Sequence, residues 1–116
     1  MMPLDKSHIP LISTIVGKKL RELREGNSVS QEALSAHLGI SRPTLIAYET
    51  GKQSISIAET YLAADRFQVD MSALMPSLDQ IKKLTSLDSA IAEKGIDGEE
   101  LKDIESFISQ IIRGEK

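Results

Sequence analysis

The segment SVSQEALSAHLGISRPTLIAYETGK, residues 28–52, holds two short helical patterns separated by only three residues. Ser30 is a good N-cap for a first helix that carries Leu34 and Leu38 on one face. Gly39 supplies the left-handed residue that ends it, a conformation that a Cβ disfavours. Ser41 caps a second helix, with Pro43 in the first turn, where a missing N–H is harmless. That helix turns Leu45 and Tyr48 inward and stops at Gly51. Ile40 is placed to plug the angle between the two helices, and the small Ala33 is expected to let them approach closely. A helix pair joined by so tight a turn can set its second helix in the DNA major groove while the first crosses the backbone.

The flanking sequence keeps the helical period and has almost no alternation of period two, so the chain reads as all-α. Val16, Leu20 and Leu23 form a stripe that Gly26-Asn27 interrupts. Residues 57–67 carry Ile57, Tyr61, Ala64 and Phe67 as a fourth helix, and Asp70 caps a short fifth turn with Met71, Leu74 and Met75. Pro76-Ser77 marks a boundary. Beyond it, Ile81, Leu84, Leu87 and Ile91 predict a helix ending at Gly95. Asp97 and Glu100 match a capping box for a last helix with Leu101, Ile104, Ile108 and Ile111 on one face, widened by Phe107 and Ile112.

Residues 14–75 resemble the Xre-type helix-turn-helix domain, the five-helix, lambda-repressor-like family of phage repressors and Cro proteins. The resemblance is carried by Val16-Gly17-x-x-Leu20-Arg21-x-Leu23-Arg24, Ser30-Gln31-x-x-Leu34, Gly39-Ile40-Ser41 and Glu49-x-Gly51-Lys52. The ending, Leu62-Ala63-Ala64-x-x-Phe67-x-Val69-Asp70 with Leu74, continues it in order and spacing. One departure is Gln68, where the family usually has Gly. The resemblance implies a bacterial or phage regulator of transcription that binds duplex DNA.

It also implies residue roles. Gln31 would touch a phosphate and brace the recognition helix. Ser30 and Ser41 would offer hydroxyl or backbone N–H groups to phosphates. Ser41, Arg42, Pro43, Thr44 and Ala47 would meet DNA, with Ile46 and Ala47 limited to apolar contact such as a thymine methyl. Arg42 alone among them can grip guanine O6 and N7 in two hydrogen bonds, a phosphate being its other possible target. Lys52 and Ser54 would hold the backbone. Arg24 and Glu49 would form a buried scaffold ion pair. Lys18, Lys19 and Arg21 read as a solvated face rather than the other reading, a DNA contact, and His37 reads as an exposed residue without function.

Domain organisation follows: an N-terminal arm over 1–13, the DNA-binding domain over 14–76, and a helical hairpin over 77–116. The hairpin is too apolar on one face to stand alone in water. It either folds on itself within one chain or, the favoured reading, pairs with its copy in a homodimer through Ile91, Leu101, Ile104, Phe107, Ile108, Ile111 and Ile112. A dimer would span two half-sites about 34 Å apart on an inverted repeat. A second reading makes the chain an antitoxin-like regulator whose tail captures a toxin or antagonist protein.

Composition narrows the alternatives. The chain has 116 residues and a net charge of −3. Residues 1–52 nonetheless carry seven basic against five acidic groups, while residues 53–116 carry seven against twelve. Affinity for a polyanion depends on the local face rather than the total. There is no Cys and no Trp, with only two His, two Tyr and two Phe. Disulfides, thiolate zinc sites and stacking platforms for single strands are therefore not expected. No glycine-rich phosphate loop or cluster of His and carboxylates suggests an enzyme, a cofactor or a metal. The start lacks a basic stretch followed by an apolar one, and no apolar run approaches a membrane span, so a cytoplasmic protein is expected.

Overall fold

The computed structural model describes residues 3–94, with side chains described through Ser86. Among these residues every regular element is helical: α1 Ile9–Gly26, α2 Gln31–Leu38, α3 Arg42–Thr50, α4 Ile57–Arg66 and α5 Leu78–Lys94. Single 3-10 turns occupy Lys6–His8 and Met71–Ala73, the latter being the short fifth turn expected after Asp70. The caps follow the sequence. Ser30 Oγ accepts from Ala33 N–H at 3.0 Å and Ser41 Oγ from Thr44 N–H at 3.2 Å. Gly39 ends α2 in the left-handed region at φ 72°. Ser56 and Glu59 form a reciprocal capping box at α4, and Ser77 and Gln80 exchange the same pair of bonds at α5.

The core is aliphatic with two aromatic members. Leu20, Leu34, Leu38, Leu45, Tyr48, Ala63, Ala64, Phe67 and Leu74 are buried together, with Leu23, Val29, Ile40 and Val69 packed around them. Each of α1 to α4 thus contributes one face, as burying an apolar stripe requires. On α4 that face is Thr60, Ala63, Ala64 and Phe67. Of the residues by which the fourth helix is read, Ala64 and Phe67 are buried, whereas Ile57 and Tyr61 are 71% and 60% exposed. Ala33 is likewise exposed; the small buried residue of α2 is Ser35, whose hydroxyl satisfies itself on the Glu32 carbonyl at 3.1 Å.

Two chain segments depart from the expected organisation. Helix α1 begins at Ile9, so residues 9–13, assigned to the N-terminal arm, are its first turns. Pro10 lies in that first turn, where its fixed φ suits a helix start. Leu11 on this extension and Ile15 just after it pack against Leu84 of α5, with Ile15 and Leu84 at 1% and 2% exposure. The start of α5, placed with the dimerisation hairpin by its sequence, thus packs on α1 through Leu84. The last helix, expected to carry Leu101, Ile104, Phe107, Ile108, Ile111 and Ile112, lies outside the described residues, as does the side chain of Ile91.

Among the described residues, two that bear side chains hold positive φ, Gln68 at 54° and Ser28 at 57°. Gln68 sits where the family usually has Gly, and its amide donates to the Asp65 carbonyl at 2.7 Å, which offsets part of the backbone cost.

Candidate nucleic-acid interface

Helix α3 is held by one face and offers the other. Leu45, Tyr48 and Glu49 are buried, whereas Arg42, Pro43 and Ile46 are exposed and Thr44 and Ala47 half-exposed. The helical period makes this division: residues 43, 46 and 47 lie across the helix from 45 and 48, with Arg42 and Glu49 along one border between the two sides. Ser41 at the N-terminus is exposed, and its hydroxyl also meets that of Thr44 at 2.8 Å. Of the residues expected to contact DNA, Ser30, Gln31, Ser41, Arg42, Pro43, Thr44, Ile46 and Ala47 thus gather on the ends of α2 and the outer side of α3. Lys52 and Ser54 follow α3 and are exposed, though Ser54 is hydrogen-bonded through its hydroxyl to Ser13 of α1.

What fixes this face is a polar chain running out of the core. Arg24 of α1 meets Glu49 of α3 in a two-pronged ion pair, Nε to Oε2 at 2.7 Å and Nη2 to Oε1 at 3.1 Å. The Arg24 side chain is 11% exposed and that of Glu49 3%. Arg24 also donates to the Val29 carbonyl at 3.0 Å, so the pair leaves no buried partner wanting. The Glu49 hydrogen bonds hold the Arg24 guanidinium more firmly protonated than usual, against the effect of its burial. Gln31 extends the chain: its amide donates to Glu49 Oε1 at 3.2 Å. Its carbonyl oxygen accepts from Arg42 Nε at 3.2 Å. Bracing of α3 by Gln31, expected from the resemblance, is therefore physical. Glu32 Oε1 lies 3.3 Å from the same Arg42 Nε, an ion pair between side chains 66% and 56% exposed.

The other end of α3 is fixed by Tyr48, whose hydroxyl donates to Glu59 of α4 at 2.7 Å. Burial, then this bond, pushes the Tyr48 phenol up to about 12. Burial alone would raise the Glu59 carboxyl, but the bonds from Tyr48 and Ser56 hold it below its ordinary range.

Sequence reading misplaced one cation and overlooked one anion. Lys19, grouped with a solvated face, is 5% exposed, with its ammonium 3.5 Å from the Ser72 carbonyl. Arg21 does lie outside, paired with Glu25 at 2.7 Å. Glu32 carried no signal of its own, because its partner is ten residues away across the turn and no periodicity relates them. Among the described residues there is no group of His, Cys or carboxylates able to hold a metal ion. Among them also, no helix is long and apolar enough to cross a membrane.

Comparison with known proteins gives the same assignment. Residues 20–74 match the family model described as helix-turn-helix. A relative from Methanospirillum hungatei, named as an HTH-type transcriptional regulatory protein, is 31% identical over 96 residues, which are 74% of this chain and 31% of that protein. A second of the same description from Thermococcus kodakarensis is 46% identical over 43 residues, 37% of this chain and 14% of that protein. The chain thus spans less than a third of the length of these relatives. The solved structure of the restriction-modification controller protein C.AhdI from Aeromonas hydrophila is 27% identical and superposes with a TM-score of 0.51. The match covers 54% of this chain and 96% of that one. With its capped helix pair, buried Arg24–Glu49 brace and outward-facing α3, the segment over residues 20–74 belongs to the Xre-like helix-turn-helix domain family.

Proposed function

We propose that the chain is a sequence-specific, cytoplasmic DNA-binding regulator that acts as a homodimeric repressor on an inverted-repeat operator, including one at its own promoter. The observation that carries this reading is the outer side of α3. Its inner side is fixed by Leu45, Tyr48 and Glu49, yet among the described residues no element covers Arg42, Pro43 and Ile46, which are exposed, or Thr44 and Ala47, which are half-exposed. A rigid helix carrying one arginine and a short apolar patch suits a major groove, where guanine edges and thymine methyls alternate. Ser30 and Ser41 at the two helix starts, Gln31, Lys52 and Ser54 supply the surrounding phosphate contacts.

Dimerisation rests on the chemistry of the tail. A single domain of this size makes few phosphate contacts, and the stripe formed by Ile91, Leu101, Ile104, Phe107, Ile108, Ile111 and Ile112 needs cover from water. A second copy provides both the cover and a second α3 about one duplex turn away.

The test is a binding titration on duplexes carrying the region upstream of the chain's own gene, at several salt concentrations, beside a random duplex. Expected are a preferred site with two-fold symmetry, a stoichiometry of two chains per site, and affinity that falls steeply with salt. Equal binding to all duplexes, or none, overturns the proposal. A preferred site occupied by one chain removes the homodimer and keeps the reader.

A further inference from the structure

We infer that Glu32 is a specificity-determining residue: by escorting Arg42 with a carboxylate, it makes that arginine a poor ligand for phosphate and reserves it for a guanine edge. This rests on the DNA-binding reading above and deepens it. Arg42 Nε is the atom held, at 3.2 Å by Gln31 Oε1 and at 3.3 Å by Glu32 Oε1. Among the described residues neither terminal Nη of Arg42 donates a hydrogen bond, so the pair of Nη groups forms the open edge of the guanidinium. Two parallel N–H donors are what guanine O6 and N7 require. Gln31 is itself anchored on the buried Glu49, so the open edge is aimed from the core and not left to the rotamer freedom of a surface arginine.

Charge decides which partner that edge accepts. Guanine O6 and N7 are neutral acceptors, and docking on them leaves the Glu32 contact intact. A phosphate oxygen is an anion, and bringing one to the same edge sets it close to the Glu32 carboxylate. The pair carries no net charge, so it also releases no net counterion from the backbone. Both side chains are more than half exposed, which makes the pair weak as a stabilising bond. Its consequence lies in the charge presented to DNA.

The test uses the full chain, with Glu32→Gln, Arg42→Ala and the double variant. Two probes are used: the duplex that the wild-type chain enriches from a random pool, and the unselected pool. Glu32→Gln keeps the side-chain volume and removes the charge. It is expected to bind the unselected pool about three- to ten-fold more tightly, with the salt slope steeper by about one, and to gain little or nothing on the enriched duplex. The ratio of the two affinities then falls. In the Arg42→Ala background the same change is expected to lose most of its effect. Equal gains on both probes, no change on either, or a gain that persists without Arg42 overturns the inference, because Glu32 would then act only as a general repulsive charge or not at all. A wild-type chain that enriches no duplex overturns the DNA-reading proposal itself, and this inference with it.

Discussion

Gly17 of α1 lies against the carbonyl of Tyr48 of α3, so close that a Cβ on Gly17 would overlap the Tyr48 oxygen and press on the Glu49 carbonyl, at 3.0 Å from its oxygen. The two helix backbones touch here with no side chain between them. This contact sets how deep α3 sits on α1, and it stands one residue from the Glu49 that receives Arg24. The depth of α3 in turn sets how far Arg42 and Ile46 project from the surface. A glycine in the middle of a helix is unfavourable by itself, so its presence follows from the crossing and not from the helix.

Gly17→Ala is accordingly expected to destabilise the chain by about 2–3 kcal/mol, although alanine is the better helix former. Gly26, also in α1, has open space where its Cβ would be. Gly26→Ala serves as the control and is expected to change stability by less than about 1 kcal/mol. Urea unfolding followed by helix signal measures both. Equal, small effects at the two positions would show that the α1–α3 crossing relaxes freely.

The sequence exposes this fold unevenly. Caps and turns are legible because their chemistry is local: Ser30, Gly39, Ser41 and Asp70 each do at a helix end what their side chain or missing side chain allows. Inward faces are legible where a stripe is unbroken, as at Leu34, Leu38, Leu45 and Tyr48. On α4, two overlapping stripes compete, and Thr60 is buried because its hydroxyl returns to the Ser56 carbonyl at 2.7 Å, while the larger Tyr61 stays out. The start of α1 was hidden because Ile9, Leu11, Ile12 and Ile15 crowd the pattern before Val16, and only Pro10 hints at a first turn. The outer side of α3 has no such local signal. Its Gln31–Arg42 and Glu32–Arg42 contacts cross the turn, where neither spacing nor propensity could announce them.

The Arg24–Glu49 pair is expected to behave as a unit. Glu49→Ala strands a guanidinium that is nearly out of water and releases Gln31, and should cost about 3–5 kcal/mol. Replacing both residues with apolar ones of similar volume, as in Arg24→Met with Glu49→Leu, should cost clearly less than the sum of the single changes. The double variant should nevertheless read its preferred duplex poorly, since Gln31 has lost its inner anchor. A double-mutant cycle by urea unfolding, with DNA titration of the double variant, separates the two effects. Additive single changes would mean that the two side chains do not depend on one another.

Leu84→Ala should destabilise the DNA-binding domain by about 2–4 kcal/mol, because Leu84 covers Ile15 and Leu11 of α1. A cut after Pro76 removes that cover, so weak DNA binding by such a fragment would report lost folding as well as any lost pairing of subunits. A cut after Ser86 keeps Ile81 and Leu84 and is the cleaner probe of the tail. Measuring the melting temperature of both fragments checks this: the shorter should melt lower. Matching melting temperatures would place the stabilising boundary back at Pro76.

Alkaline pH should loosen α3 from α4 through Tyr48. The phenol titrates near 10.0 in an unfolded chain and near 12 in the folded one, because burial and the Glu59 carboxylate both oppose a phenolate there. Folding therefore favours the protonated form. The stability this confers is complete below pH 10, declines as the pH rises through the interval, and is gone above the folded value. Tyr48→Phe removes the titration together with the hydrogen bond, at a cost near neutral pH of about 1 kcal/mol. The diagnostic quantity is the stability difference between wild type and variant: it should shrink from pH 10 upward and reverse sign before pH 12. Urea unfolding of both chains across that interval measures it. A difference independent of pH would show that Tyr48 reaches water, in which case the bond to Glu59 is not what secures the far end of α3.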